Sequence, residues 1–290
     1  MRHGIQDYAE TMMPPSNARY RQLSMQNPLH ACTRSLVVKL NSMLTCLLYV
    51  VCQGAVTFAD DGEPFEPPEY TIHRANSPIR IDGKLDEPVW EAAPEIRDFH
   101  FTWYKEGRKE PTVARMLWDD EYLYVAHVCE DAWITARCEE HDGPVAKDDC
   151  FEVMVAPNVD KPNVYFNIEW NVLGAWVDNH RPNGPKEPKA PKWDAEGVRI
   201  AGRYVGTLND DSDTDKLWIA EVAIPFDNFS EVANHTPPEP GDQWNLNLNR
   251  HGGDTNLQYS QWSRADTDVP SFHTPHRFGR VTFSGEPPKQ

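Results

Sequence analysis

Residues 112–130, TVARMLWDDEYLYVAHVCE, decide the fold class of this chain. Apolar, aromatic and β-branched residues alternate with period two in two runs, Thr112–Trp118 and Tyr122–Glu130, which is typical of strands. Between the runs lies Asp119-Asp120-Glu121, and Asp favours turns because its side chain bonds its own backbone. The stretch therefore predicts a β-hairpin.

A second informative stretch, Ile81–Trp90 (IDGKLDEPVW), stands upstream of the hairpin. Gly83 predicts a turn at the end of a short strand. Proline is favoured in the first turn of a helix, so the segment from Pro88 to Ala93 is expected to be a helical turn. That turn would carry Trp90 back towards the core.

Further strand-like runs recur along the chain with turn signals between them. They lie at Tyr70–Arg74, Phe151–Ala156, Tyr165–Asn171, Val198–Tyr204, Leu217–Ile224, Trp244–Arg250, Tyr259–Trp262 and Arg280–Phe283. Helical periodicity is confined to short pieces at Glu87–Ala93 and Phe226–Val232. Many short strands with few helices predict an all-β fold, an antiparallel β-sandwich of about ten strands with one or two short helices.

The N-terminal residues have the pattern of an export signal. Arg34 and Lys39 precede an apolar run at residues 43–51, and small residues flank Phe58. The run is shorter than the ~20 residues that span a bilayer. The sequence therefore predicts a signal peptide at 1–59, a linker at 60–69, one β-sandwich domain at 70–284 and a tail at 285–290. We expect export to the periplasm, the cell surface or the medium.

The charge balance excludes some partners. Five of the 28 basic and two of the 45 acidic residues lie in 1–59, which leaves 23 against 43 and a formal net charge of −20. Such a charge repels nucleic acid and anionic membrane surfaces, and no membrane insertion is expected once the signal is removed. Three cysteines remain (Cys129, Cys138 and Cys150), so at most one disulfide is expected and its pairing is open.

Three predicted strands carry an unusual second face. In residues 244–251 (WNLNLNRH), apolar residues alternate with Asn245, Asn247, Asn249 and His251. The same alternation in the two earlier strands leaves a polar set on this face: Glu152, Met154, Tyr165, Asn167, Glu169 and Asn171. Because Asn is depleted in strands, such a row needs a reason.

A sugar site is one reason for this row. Amides and carboxylates pair with hydroxyl groups, and aromatic rings cover the apolar face of a sugar. The nearby aromatic residues are Tyr259, Trp262 and Phe272. The alternative is that the Asn row only satisfies a concave, partly buried face of the sheet.

The order of segments resembles the family 9 carbohydrate-binding module. The resemblance rests on the two stretches quoted above and on Asp148–Val153 (DDCFEV), Trp218–Pro225 (WIAEVAIP) and Ser271–Gly279 (SFHTPHRFG). It covers residues 70–284. It implies an exported module that binds a saccharide or polysaccharide without transforming it. Family members are often appended to xylanases, so a link to the breakdown of xylan or another polysaccharide is also implied.

The resemblance also implies site residues. Glu152 matches a carboxylate of the sugar site, Asn167 stands where sugar-binding members have Arg, and Asn247 stands where they have Gln. Two clamping Trp positions of the family fall near Ala146 and at Phe272 in this chain. With the alternation described above, the predicted site is Glu152, Asn167, Glu169, Asn245, Asn247 and Phe272, with Trp262 as a further wall.

A structural calcium ion is also implied by the resemblance, with Asp131 and Asp149 at matching acidic positions. No organic cofactor is expected, and the oligomeric state is left open. One alternative is a haem-binding sandwich of the DOMON type with Met154 and His251 as axial ligands. The other is a glycoside hydrolase that uses a carboxylate pair, Asp148/Asp149 or Glu152/Glu169. Such pairs also arise by chance in so acidic a chain.

Overall fold

A computed structural model describes residues 65–190 and 193–289 of the chain. The predicted signal peptide, 1–59, lies outside these described residues. No helix among the described residues is both long and apolar enough to cross a membrane.

Strands dominate the described part of the chain. They are β1 (Glu69–Arg74), β2 (Thr112–Trp118), β3 (Tyr122–Glu130), β4 (Cys150–Ala156), β5 (Tyr165–Asn171), β6 (Trp176–Arg181), β7 (Arg199–Val205), β8 (Leu217–Pro225), β9 (Gln243–His251), β10 (Tyr259–Gln261) and β11 (Gly279–Ser284). The α-helix α1 is Pro88–Ala92, and 3-10 turns lie at Val145–Lys147, Phe226–Phe229 and Pro275–Arg277. The predicted all-β fold is confirmed.

The strands form one curled sheet in the order β6-β5-β4-β9-β11-β1-β2-β3-β8-β7, with β10 paired to β9. Most pairs are antiparallel, but β1 runs parallel to both β11 and β2. The two halves of the curl pack face to face over one apolar core. Phe151 of β4, for example, stacks on His127 of β3 with ring centroids 4.1 Å apart. The fold is thus a sandwich whose two layers are joined through β1.

The predicted hairpin is confirmed with the same strand bounds. The prediction of a short strand before Gly83 is wrong, because residues 79–83 form no strand. The backbone there is held by one buried carboxylate instead. Glu221 of β8 accepts hydrogen bonds from the backbone N–H groups of Asp82 (2.9 Å) and Gly83 (3.0 Å) and from Trp90 Nε1 (2.8 Å). These bonds fix a turn in which Gly83 has φ +73°, a value that glycine adopts without strain.

Two further differences concern short elements. β6 was not predicted, although it pairs with β5 along its whole length. The expected helix at Phe226–Val232 is the shorter 3-10 turn Phe226–Phe229. The 3-10 turn buries Phe226 and Phe229 in the main core, whereas β6 is an edge strand of the sheet.

Candidate functional site

The second face of β4, β5 and β9 forms the floor of a cleft of about 250 Å³. Strand pairing aligns these residues, since Glu152 lies opposite Glu169 on one side and opposite Asn249 on the other. The lining residues come from the strands, from the turn before β4 and from the segment after β10: Ala146, Cys150, Glu152, Met154, Glu169, Asn249, His251, Tyr259, Pro270, Ser271, Phe272 and His273.

A polar row crosses the floor of the cleft. Asn249 Nδ2 donates a hydrogen bond to Glu152 Oε2 at 3.2 Å. Within the described part of the chain, the buried amide oxygens of Asn249, Asn167 and Asn179 have no hydrogen-bond partner. Asn179 belongs to β6 and lies opposite Asn167 in the strand register. A buried acceptor without a partner costs ~1–3 kcal/mol, so this row favours a ligand or water that donates hydrogen bonds.

The two carboxyl groups of the floor have perturbed acidities. Burial raises the pKa of Glu152 well above its ordinary value, the charge of Glu169 raises it further, and hydrogen bonds from Asn249 and Asn167 lower it. Burial also raises the pKa of Glu169, against a hydrogen bond from the Cys150 thiol. The pair therefore resists full ionisation, and a protonated carboxyl group here can donate a hydrogen bond as well as accept one.

An aromatic wall stands beside the polar floor. The rings of Phe272 and Tyr259 have centroids 6.0 Å apart, and Tyr259 stacks on His251 at 4.7 Å. Trp103 packs against both Phe272 (5.6 Å) and Tyr259 (6.1 Å). Its Nε1 donates to the carbonyl of Thr267 at 2.7 Å, which fixes the orientation of the indole. The wall offers ring surface to the apolar face of a ligand.

A neutral histidine, His273, lines the cleft next to Phe272 in the chain. Burial, and then the charge of Arg181, lowers the pKa of His273 to about 4. Its Nδ1 lies 2.8 Å from the Tyr165 hydroxyl, and burial raises the pKa of Tyr165 to about 12. His251 is also neutral near pH 7, because burial lowers its pKa below the ordinary 6.5.

The structure brings four of the predicted site residues together. Glu152, Glu169 and Phe272 line the cleft, and the Asn167 amide hydrogen-bonds Glu152. Ala146 also lines the cleft. The two positions at which the resemblance expects aromatic clamps therefore face the same space.

The other three predicted residues lie elsewhere. Asn247 is fully buried, and both ends of its amide bond the backbone of Ser263. Asn247 Nδ2 donates to the Ser263 carbonyl (2.9 Å), and the Ser263 N–H donates to Asn247 Oδ1 (2.8 Å). Asn245 lies near the start of β9, away from the cleft-lining end. Trp262 is 5% exposed and packs edge-on against Tyr70 in the main core.

Several cleft residues were not among the predicted ones. Asn249 and His251 share the second face of β9 that the alternation defines, so the sequence carried a signal for them. Cys150 begins β4 on the same face. Trp103 lies in an irregular segment before β2, and nothing in its local pattern marks it as part of the site.

Asp131 and Asp149, the residues expected to bind calcium, both bond to other parts of the chain. Asp131 accepts from Trp133 N (3.0 Å) and from Arg250 Nη2 (3.0 Å). Both oxygens of Asp149 accept backbone N–H groups, from Gly253 at 2.6 Å and Thr135 at 2.7 Å. The buried Arg250 guanidinium thus lies beside the Asp131 carboxylate.

The fold and the cleft together define a β-sandwich module with a ligand-sized cleft over one face of its sheet. The family model for Carbohydrate-binding family 9 matches residues 100–283 of the chain. That match covers more than half of the sequence, and the chain belongs to this family. No curated protein matches the chain.

Solved structures of low sequence identity share the fold. A candidate carbohydrate-binding protein from Bacteroides uniformis has 18% identity and a TM-score of 0.62, over 76% of this chain and 100% of that one. A family 9 module from Caldicellulosiruptor kristjanssonii in complex with cellotriose has 14% identity and a TM-score of 0.51 (75% and 94% covered). The complex of such a module from the same organism with glucose has 14% identity and a TM-score of 0.53, over 77% of this chain and 98% of that one.

Proposed function

We propose that this chain binds a saccharide, without transforming it, in the cleft between the Glu152–Asn249 row and the Phe272–Tyr259 wall. The observation that carries the proposal is the buried amide oxygen of Asn249, which has no partner among the described residues, in a cleft that Tyr259 and Phe272 also line. A sugar ring has a rim of hydroxyl donors and an apolar C–H face, and it can satisfy both sides of such a cleft at once.

The size of the cleft supports a short ligand. Its volume of about 250 Å³ falls just below the ~300–1,000 Å³ typical of small-molecule pockets. This fits the end of a saccharide better than a large planar macrocycle such as haem. The similar module from Caldicellulosiruptor kristjanssonii holds cellotriose or glucose, and we therefore propose glucose-containing saccharides as the first ligands to test.

Ala146 stands at one of the two positions where the family resemblance expects a clamping aromatic ring, so this chain lacks a clamp of two rings. Ala146 is exposed and lines the cleft, where its methyl side chain offers no ring surface. An aromatic platform contributes ~1–3 kcal/mol to a stacked ring, by analogy with bases stacked on aromatic side chains. We therefore expect weaker binding of a terminal sugar than a clamp of two aromatic rings would give. We also propose that the module is exported and that it acts beside enzymes that degrade polysaccharides.

The direct test is calorimetric titration of the full chain with glucose, cellotriose and xylo-oligosaccharides. The proposal expects saturable binding of at least one of them, and a loss of about two- to tenfold in affinity in Glu152→Ala, since a hydrogen bond contributes ~0.5–1.5 kcal/mol. Glu91→Ala, an exposed carboxylate on α1, is the matched control and should bind like the wild type. No saturable heat with any sugar at millimolar concentration would contradict the proposal.

A further inference from the structure

Three side chains of different chemistry converge at one end of the cleft. The sulfur of Cys150, a carboxylate oxygen of Glu169 and a ring nitrogen of His251 all lie within 4.8 Å of one another. Cys150 is directly opposite His251 in the β4–β9 register, and Glu169 projects from β5 on the other side of β4. Three adjacent strands thus hold the group, so its geometry is fixed by backbone pairing.

The contacts within this Cys150–Glu169–His251 cluster are close. Cys150 Sγ lies 2.7 Å from Glu169 Oε1, whereas the Cys138 and Cys129 sulfurs lie 3.5 and 3.7 Å from their oxygen partners. The His251 ring also hydrogen-bonds the backbone of Ala146. Metal-binding histidines commonly use one ring nitrogen in this way, which orients the other nitrogen towards the metal.

The electrostatics of the floor favour a cation at this position. Glu152 and Glu169 are direct cross-strand neighbours, and like charges in that arrangement repel. Full ionisation of both carboxyl groups and of the Cys150 thiol would place three negative charges in the same buried region. A divalent ion bound by the cluster would offset this repulsion.

We propose that Cys150, Glu169 and His251 bind a divalent transition metal of the zinc class. Sulfur, nitrogen and carboxylate oxygen are the ligands that Zn²⁺ takes in proteins, and three protein ligands leave one position of a tetrahedron open. All three residues line the cleft. The thiol excludes calcium and magnesium, which prefer oxygen ligands only.

Metal binding here exchanges one proton for the ion. The Cys150 S–H bond breaks, a sulfur–metal bond forms, and the proton goes to solvent, with no change in oxidation state. Ligand deprotonation makes the affinity depend on pH. With one proton released, affinity should rise about tenfold per pH unit below the thiol pKa.

The test uses Co²⁺ as a spectroscopic substitute for Zn²⁺, on the reduced, metal-free full chain and without sugar. We expect the near-ultraviolet absorption of a cobalt–thiolate bond, saturating at one ion per chain and lost when Zn²⁺ is added. Cys150→Ser should abolish the band, while Cys138→Ser and Cys129→Ser should retain it. Because no saccharide is present, failure here is separate from failure of the proposed sugar binding.

Two further variants keep the test decisive if Cys150→Ser does not fold. Glu169→Gln and His251→Gln should each lower the Co²⁺ affinity by at least about tenfold. No thiolate band in the wild type, a band of full strength in Cys150→Ser, or unchanged affinity in both other variants would each overturn the proposal.

Discussion

Asn249 Nδ2 donates a hydrogen bond to Glu152 Oε2 at 3.2 Å, while the amide oxygen of the same Asn249 is buried without a partner among the described residues. The donor half of the amide is thus committed to the protein, and the acceptor half remains for a ligand or water. Since Glu152 and Asn249 lie opposite each other on β4 and β9, strand pairing holds this orientation before any ligand arrives.

Phe272 should contribute stacking energy to saccharide binding. Phe272→Ala removes the ring that faces the cleft beside Tyr259, and we expect a loss of ~1–3 kcal/mol, or about tenfold or more in affinity. Calorimetric titration of both proteins with the same oligosaccharide measures this loss. Tyr204→Ala, an aromatic residue 43% exposed on β7, should bind like the wild type. Equal affinities for Phe272→Ala and wild type would show that the ring is not part of the site.

Ala146→Trp should increase affinity for a terminal sugar. Ala146 is exposed, lines the cleft and carries no ring, so an indole there would provide a second platform. We expect a gain of about tenfold, from ~1–3 kcal/mol per platform. Lys147→Trp is the matched control, because Lys147 is the exposed next residue and does not line this cleft. A gain of the same size in both variants would point to non-specific adsorption.

Glu152 should make the folded chain less stable as pH rises. Burial and Glu169 raise the pKa of Glu152 above the ordinary 4.5, so the folded chain keeps a proton that the unfolded chain has lost. The free energy of unfolding therefore falls as pH rises from about 4.5 through the folded pKa. Glu152→Gln removes this titration.

The measurement is the urea midpoint of wild type and Glu152→Gln at about pH 5 and about pH 8. We expect the wild type to lose more stability than the variant over this range. Glu91→Gln, at an exposed site, should follow the wild type. Parallel pH profiles for wild type and Glu152→Gln would mean that this carboxyl group does not titrate differently on folding.

Arg250 should be essential for stability. Its guanidinium is fully buried between Asp131 (3.0 Å) and Glu110 (3.4 Å). Arg250→Met would leave both carboxylates buried without their cation, at a cost of ~3–5 kcal/mol. Urea denaturation measures the loss, and Arg280→Met is the control, since the exposed Arg280–Glu69 pair should contribute at most about 1 kcal/mol. Similar losses in both variants would show that the buried pair has no special role.

Much of the fold was predictable because its strands alternate strongly. The β2–β3 hairpin combines β-branched and aromatic residues with an acidic turn, and β4, β5 and β9 each show which residues face the core. β6 was missed because WVDNHR is short and polar. It becomes a strand through backbone pairing with β5, which leaves no local signal.

The site was predictable where it lies on strands and not where loops complete it. Alternation identifies the face of a residue, but not whether another segment covers it. Asn247 lies on the same strand face as Asn249, yet its amide is hydrogen-bonded to the backbone of Ser263. Trp262 follows the end of β10 and turns into the core. Trp103 reaches the aromatic wall from a distant segment, and only tertiary packing brings it there.

The most direct test of the sugar cleft is to follow the side-chain amide resonances of Asn249, Asn167 and Asn247 by NMR while the full chain is titrated with cellotriose. Asn249 lines the cleft and Asn167 bonds the cleft residue Glu152, and both amide oxygens lack a partner among the described residues, whereas the Asn247 amide is already bonded to Ser263. We expect saturable shifts of Asn249 and Asn167, with Asn247 nearly unchanged. Saturable shifts confined to residues outside the cleft, or none at all with this or any other saccharide, would contradict the account.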